Sequence, residues 1–82
     1  MARSDYSGLD QEHHVVEIKK KGLVIRLSDG SVWGISVGDT TRTVCWYPTM
    51  RILVEEHGGS THPFRLKNLD TAGPEVVRAS LR

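Results

Sequence analysis

The stretch Leu27-Ser28-Asp29-Gly30-Ser31-Val32-Trp33 decides how the chain reads, because it sets a strong turn signal between two apolar-rich runs and follows it with a large aromatic. Asp-Gly favours a β-hairpin: Gly takes positive φ without a Cβ clash, and Asp tolerates the turn. Loop length then fixes the register. A two-residue loop of Asp29 and Gly30 pairs Leu27 with Val32 and Arg26 with Trp33, dividing the apolar residues between both faces. A three-residue loop, with a type I turn and Gly30 as the left-handed bulge residue, pairs Leu27 with Ser31, Ile25 with Trp33 and Leu23 with Ile35. That register gathers Leu23, Ile25, Leu27, Trp33 and Ile35 on one face and leaves Arg26 and Ser28 outside. A slip of one residue moves the whole buried set, so the three-residue loop is expected, with Trp33 in the core.

Upstream of the hairpin, His13-His14-Val15-Val16-Glu17-Ile18-Lys19 alternates enough for a first strand, with Val16 and Ile18 on one face and Val15 and Glu17 on the other. Lys20-Lys21-Gly22 turns it into the hairpin. Residues 1–12 are polar with no sustained period and read as a flexible N-terminal tail, leaving 13–82 as a single small domain. Downstream, Gly38-Asp39-Thr40-Thr41 reads as a loop, and Thr43-Val44-Cys45-Trp46-Tyr47 as a strand or extended segment stopped by Pro48. Arg51-Ile52-Leu53-Val54-Glu55 is the next strand, ending at a His57-Gly58-Gly59-Ser60 tip. Phe64-Arg65-Leu66-Lys67-Asn68-Leu69 alternates cleanly, with Phe64 and Leu66 inward and Arg65 and Lys67 outward. After a turn over 70–74, the last strand places Val77, Ala79 and Leu81 on one face. No segment carries an apolar repeat at helical spacing. The fold class is therefore all-β: a small SH3-like barrel of five or six short antiparallel strands, or alternatively an OB-like barrel, since closure hides edges that would otherwise pair between molecules.

At 82 residues the chain suits one modest core and no deep, separate catalytic cleft. Eleven basic and ten acidic residues give a net charge of +1, so no whole-molecule field draws it to nucleic acid or anionic membrane. Lys19-Lys20-Lys21, the one basic run, reads as a solvated strand end and turn. Cys45 is the only cysteine, which excludes an internal disulfide; between Val44 and Trp46 it reads as a buried, inert thiol. There is no signal-like or membrane-spanning apolar run, and a cytoplasmic location is the expectation.

At this point Leu27-Ser28-Asp29-Gly30-Ser31-Val32-Trp33, Trp46-Tyr47-Pro48 and Arg65-Leu66-Lys67-Asn68-Leu69-Asp70 can be read together. In that order the chain resembles a group of small bacterial proteins with the pattern L-x-D-G-S-x-W, W-x-P-G and a strand ending N-L-D. The resemblance covers roughly residues 23–70. It implies an SH3-like β-barrel and no activity, cofactor or catalytic residue. Two departures stand out: Thr49 takes the place of the pattern's Gly, and the N-terminal signal of some relatives has no counterpart here.

Candidate chemistry is sparse. Adjacent His13 and His14 point to opposite faces of a strand, and His57 and His62 flank a Gly-Gly tip, so no metal set is expected. Glu55-Glu56 beside His57 are solvated strand-end residues without an apolar pocket to raise a carboxyl pKa. Ser60-Thr61-His62 lacks a nucleophile turn and a third member, and no phosphate-cradling glycine loop is present. The chain is not expected to be an enzyme or to carry a cofactor. Surface recognition remains, with Arg26, Arg42, Trp46, Tyr47 and Arg65 as candidate binding residues, because arginine beside aromatics can anchor a protein partner or stack bases. A protein partner is favoured, and a nucleic-acid-binding barrel using Lys19-Lys20-Lys21 is the alternative.

Overall fold

The computed structural model describes Tyr6, residues 8–56 and residues 61–82. Six antiparallel strands, β1 (Glu12–Lys19), β2 (Val24–Leu27), β3 (Val32–Ile35), β4 (Arg51–Glu56), β5 (Phe64–Asn68) and β6 (Glu75–Leu81), close into a barrel in the order β1-β2-β3-β6-β5-β4. The protein is an all-β, small SH3-like barrel made of two three-stranded meanders. The His57-Gly58-Gly59-Ser60 tip joining β4 to β5, and residues 1–5 and 7 of the anticipated tail, lie outside the described residues.

The hairpin has the three-residue loop. Ile25 pairs with Trp33, the Leu27 N–H donates to Ser31 O at 2.9 Å, and Gly30 sits at φ +88°. Ile25, Leu27, Trp33 and Ile35 consequently enter the core, and Trp33 is fully buried. Leu23 departs from expectation and is exposed. Its carbonyl still accepts the Ile35 N–H, but its own backbone is αR (φ −76°, ψ −23°), capping a 3-10 turn over Lys20–Gly22, so its side chain leaves the alternation.

β1 carries a second correction. Its pairing with β2 runs through Lys19, Ile18 and Glu17 and then skips Val16 to reach Val15 opposite Leu27. This bulge inserts one residue and resets the period of two, so Val15 and Ile18 both face the core while Val16 is exposed. β1 also begins at Glu12, inside the stretch read as a tail. Tyr6, in the same stretch, packs on the core edge-to-face against Trp33 at 5.0 Å between ring centroids.

Ile52 and Val54 from β4, Phe64 and Leu66 from β5, and Val77 and Ala79 from β6 complete the interior. Each fully buried large aliphatic or aromatic side chain of this set contributes roughly 1.5–3 kcal/mol relative to exposure. Leu81 was expected inward, but at the barrel rim it is half-exposed. Arg65 and Lys67 face outward as expected.

The largest departure is the connector over 36–50. The segment read as a loop and then a strand is a 3-10 turn over Val37–Asp39 running into a single helical turn, α1 (Thr40–Thr43), followed by further helical bonds from the Val44 N–H to Thr40 O and the Trp46 N–H to Thr43 O. The β-branched and aromatic residues at 43–47 suggest a strand, but buried hydrogen bonds override that propensity. The Thr43 hydroxyl donates to Gly22 O at 2.8 Å, and Asp39 is held by β6.

Candidate functional site

Three polar constellations emerge, and two of them prove structural. At the hairpin tip the Trp33 indole N–H donates to Ser31 Oγ at 2.8 Å, the Ser31 hydroxyl donates to Asp29 Oδ1 at 2.6 Å, and the Ser31 N–H donates to the same oxygen at 3.0 Å. The Tyr6 hydroxyl donates to Asp29 Oδ2 at 2.6 Å and lies 3.0 Å from Nε2 of the buried His13, which also meets Gly8 O at 2.9 Å. The spacing Asp-Gly-Ser-x-Trp is thereby accounted for: the side chain of the turn ties down the indole that anchors the core. Partial burial pushes the Asp29 carboxyl up, but the bonds from Ser31 and Tyr6 outweigh it and hold the group below the usual carboxylate range. Burial, then the bond to Asp29, pushes the Tyr6 phenol well above its ordinary value. A serine whose proton is committed to so weak a base, with His13 turned toward Tyr6 and Gly8, is not an activated nucleophile.

The opposite rim is organised by β5. Buried Asn68 accepts the Asp70 N–H through Oδ1 at 2.8 Å and donates to Met50 Sδ at 3.1 Å, while Asp70 takes the Arg51 backbone N–H and Nε, each at 2.8 Å. Those bonds from Arg51 pull the Asp70 carboxyl down and raise the Arg51 guanidinium. Asn-Leu-Asp is thus a closing device, not a ligand set. Among the described residues no group of three His, Cys, Asp or Glu is placed to hold a metal ion, and no helix is long and apolar enough to cross a membrane. His57, and with it the Glu55-Glu56-His57 and His57/His62 combinations, lies outside the described residues.

The third constellation is the connector. β3 ends at Ile35, and beyond it Asp39 takes over the exposed edge of β6: its Oδ2 accepts the Arg78 backbone N–H at 2.9 Å and Nε at 3.3 Å, and its Oδ1 pairs with Arg42 at 3.0 Å. With the Thr43 hydroxyl on Gly22 O and the Trp46 indole N–H on Glu75 Oε1 at 2.8 Å, every inward side chain of the connector is fastened to the barrel. Two of its polar side chains face inward while two valines face water. Asp39, Thr43 and Trp46 are buried at helical spacing, whereas Val37, Thr41, Val44 and Cys45 form the outward stripe, with Val37 76 % and Val44 52 % exposed. Cys45, expected to be buried, is therefore at the surface, and the expectation fails because Val44 beside it faces solvent. Tyr47 follows at 57 % exposure, and the Lys20–Gly22 turn packs beside α1.

The five residues singled out from sequence are not one site. Trp46 is core, bonded to Glu75. Arg42 and Tyr47 lie on the connector, whereas Arg26 on β2 and Arg65 on β5 point outward three strands apart around the ring, on opposite sides. Arg26 borders a shallow depression with Glu17, Lys19, Val24 and Val32, whose free volume of about 20 Å³ has room for little more than a water molecule. Sequence reasoning missed Val37 and Val44. The signal that could have found them is the 4-and-3 spacing of Asp39, Thr43 and Trp46, which marks a helical face, but polar members are ordinarily assigned outside. No protein-family model, curated protein or solved structure matches the chain.

Proposed function

We propose that this barrel is a non-enzymatic protein-interaction or assembly-accessory module and that its partner docks on the outer face of the connector. The observation that supports this reading lies in residues 37–47: Asp39 and Thr43 are spent inward on fixing the segment, while Val37 and Val44 are presented to water. Scattered single apolar residues on a surface are ordinary, but Val37, Val44 and Tyr47 are all exposed within one short segment that the Asp39, Thr43 and Trp46 hydrogen bonds tie to the barrel. Membership of the bacterial SH3-like group and a cytoplasmic site of action belong to the same proposal.

A photo-crosslinking amino acid placed at exposed Thr41 in the full chain, inside the cell the protein comes from, tests it. Protein adducts at Thr41 that are absent when the same group replaces Lys67 on β5 are expected. Equal adducts at both positions, or none at Thr41, would sink the reading.

A further inference from the structure

The connector face also gathers basic side chains. Lys20 and Lys21 are exposed on the turn that packs against α1 through Gly22, where the Thr43 hydroxyl meets Gly22 O. Arg42 and Arg78 flank the stripe with their side chains about half-exposed, and the Arg78 guanidinium approaches Gly38, next to Val37. Against these four cations stand two carboxylates, the buried Asp39, paired with Arg42 and Arg78, and Glu75, which accepts the Trp46 indole N–H. The chain as a whole has eleven basic and ten acidic residues, so taking away these four and two leaves seven basic against eight acidic elsewhere. The basic excess is local to the connector.

Resting on the interaction reading above, we propose that the partner is a protein segment in which bulky aliphatic side chains are flanked by Asp and Glu. The aliphatic side chains would cover Val37 and Val44, and the carboxylates would meet Lys20, Lys21, Arg42 and Arg78. Charge complementarity of this kind sets orientation and encounter rate, while desolvating the central valines supplies the affinity. A nucleic acid fits less well. Its bases need aromatic faces to stack on, and Tyr47 is the one exposed aromatic beside two aliphatic residues. Asp39 also already spends part of the charge of two of the four cations.

Three probes decide it on the isotope-labelled full chain: a synthetic peptide of leucine and glutamate, the same peptide with lysine for glutamate, and a single-stranded oligo-dT. The Glu/Leu peptide is expected to shift the amide resonances of Val37, Thr41, Val44 and Tyr47, more weakly as salt is added, while the other two leave them in place. Val44→Asp, exposed and so compatible with folding, is expected to weaken that binding by about tenfold or more, the scale of one lost apolar anchor. An unchanged melting temperature in that variant shows that the surface and not the fold was altered. Equal shifts with the Lys/Leu peptide overturn the acidic-partner inference and leave the docking surface standing. Shifts with oligo-dT alone overturn both that inference and the interaction reading, and no shift with any probe overturns the inference.

Discussion

Thr49 follows Pro48 in a turn whose backbone favours Gly. Tyr47-Pro48-Thr49-Met50 closes with the Met50 N–H on Tyr47 O, and Thr49 sits at φ +79°, the third position of a type II turn that wants Gly. A β-branched residue in the left-handed region is strained. Relieving roughly 1–2 kcal/mol of strain, less the roughly 0.5–1 kcal/mol that glycine's extra freedom costs, Thr49→Gly is expected to stabilise the fold by roughly 0.5–1 kcal/mol. Urea titration of the two proteins checks this; an unchanged or lower midpoint would show that the turn is not strained.

Tyr6 makes a second prediction at the same scale. Its phenol is held neutral well above the ordinary value of about 10, so the unfolded chain loses this proton first as pH rises. Its contribution is full below about pH 10 and falls progressively above it. In a Tyr47→Phe background phenolate absorbance reports Tyr6 alone, and it is expected to rise only together with loss of the fold. A rise that precedes unfolding would contradict the bond to Asp29.

At the scale of elements, the junction between the Lys20–Gly22 turn and α1 is a demanding contact. Gly22 has φ +93°, and a Cβ there would fall 2.4 Å from the Thr43 hydroxyl and 2.9 Å from the Val44 backbone nitrogen. Gly22→Ala therefore combines left-handed strain with displacement of the connector, an expected loss of roughly 2–4 kcal/mol. Thermal melts measure it, and a cost below about 1 kcal/mol would mean that the connector moves away freely. Elements were unequally legible in the chain. The hairpin register was readable because Asp-Gly fixes the loop and one face must be apolar. The Val16 bulge was not, because a bulge is decided by which neighbour takes the N–H groups on each side of β1: Met50 and β4 before it, β2 after it. The connector read backwards because its polar residues find partners on β6 and on Gly22, far away in sequence.

For the molecule as a whole, paired carboxylates set the acid limit. Asp29 and Asp70 are held below the unfolded value of about 3.9, so their contribution is complete above that pH and is lost as pH falls toward their folded values. Asp29→Asn is expected to flatten the acid limb of stability while lowering the plateau, since the Ser31 and Tyr6 donors lose a charged acceptor. Stability measured by urea between pH 2 and 6 tests it, and an acid limb of undiminished slope would remove Asp29 from the account. No buried side-chain nitrogen or oxygen lacks a partner among the described residues, which is what allows a barrel this small to bury Asp39, Thr43 and Asn68.

The sequence by itself determined the all-β class, the hairpin with its three-residue loop, the inward Trp33 and the alternation of β5, because each follows from local backbone preference and a period of two. Only the tertiary structure decided where the connector's polar side chains go, that Tyr6 joins the core, that Trp46 is buried while Cys45 is exposed, and that the listless-looking run 37–47 presents valines to water. Those outcomes depend on hydrogen-bond partners more than twenty residues away, and no local pattern encodes the distance between residues that only closure of the barrel brings together.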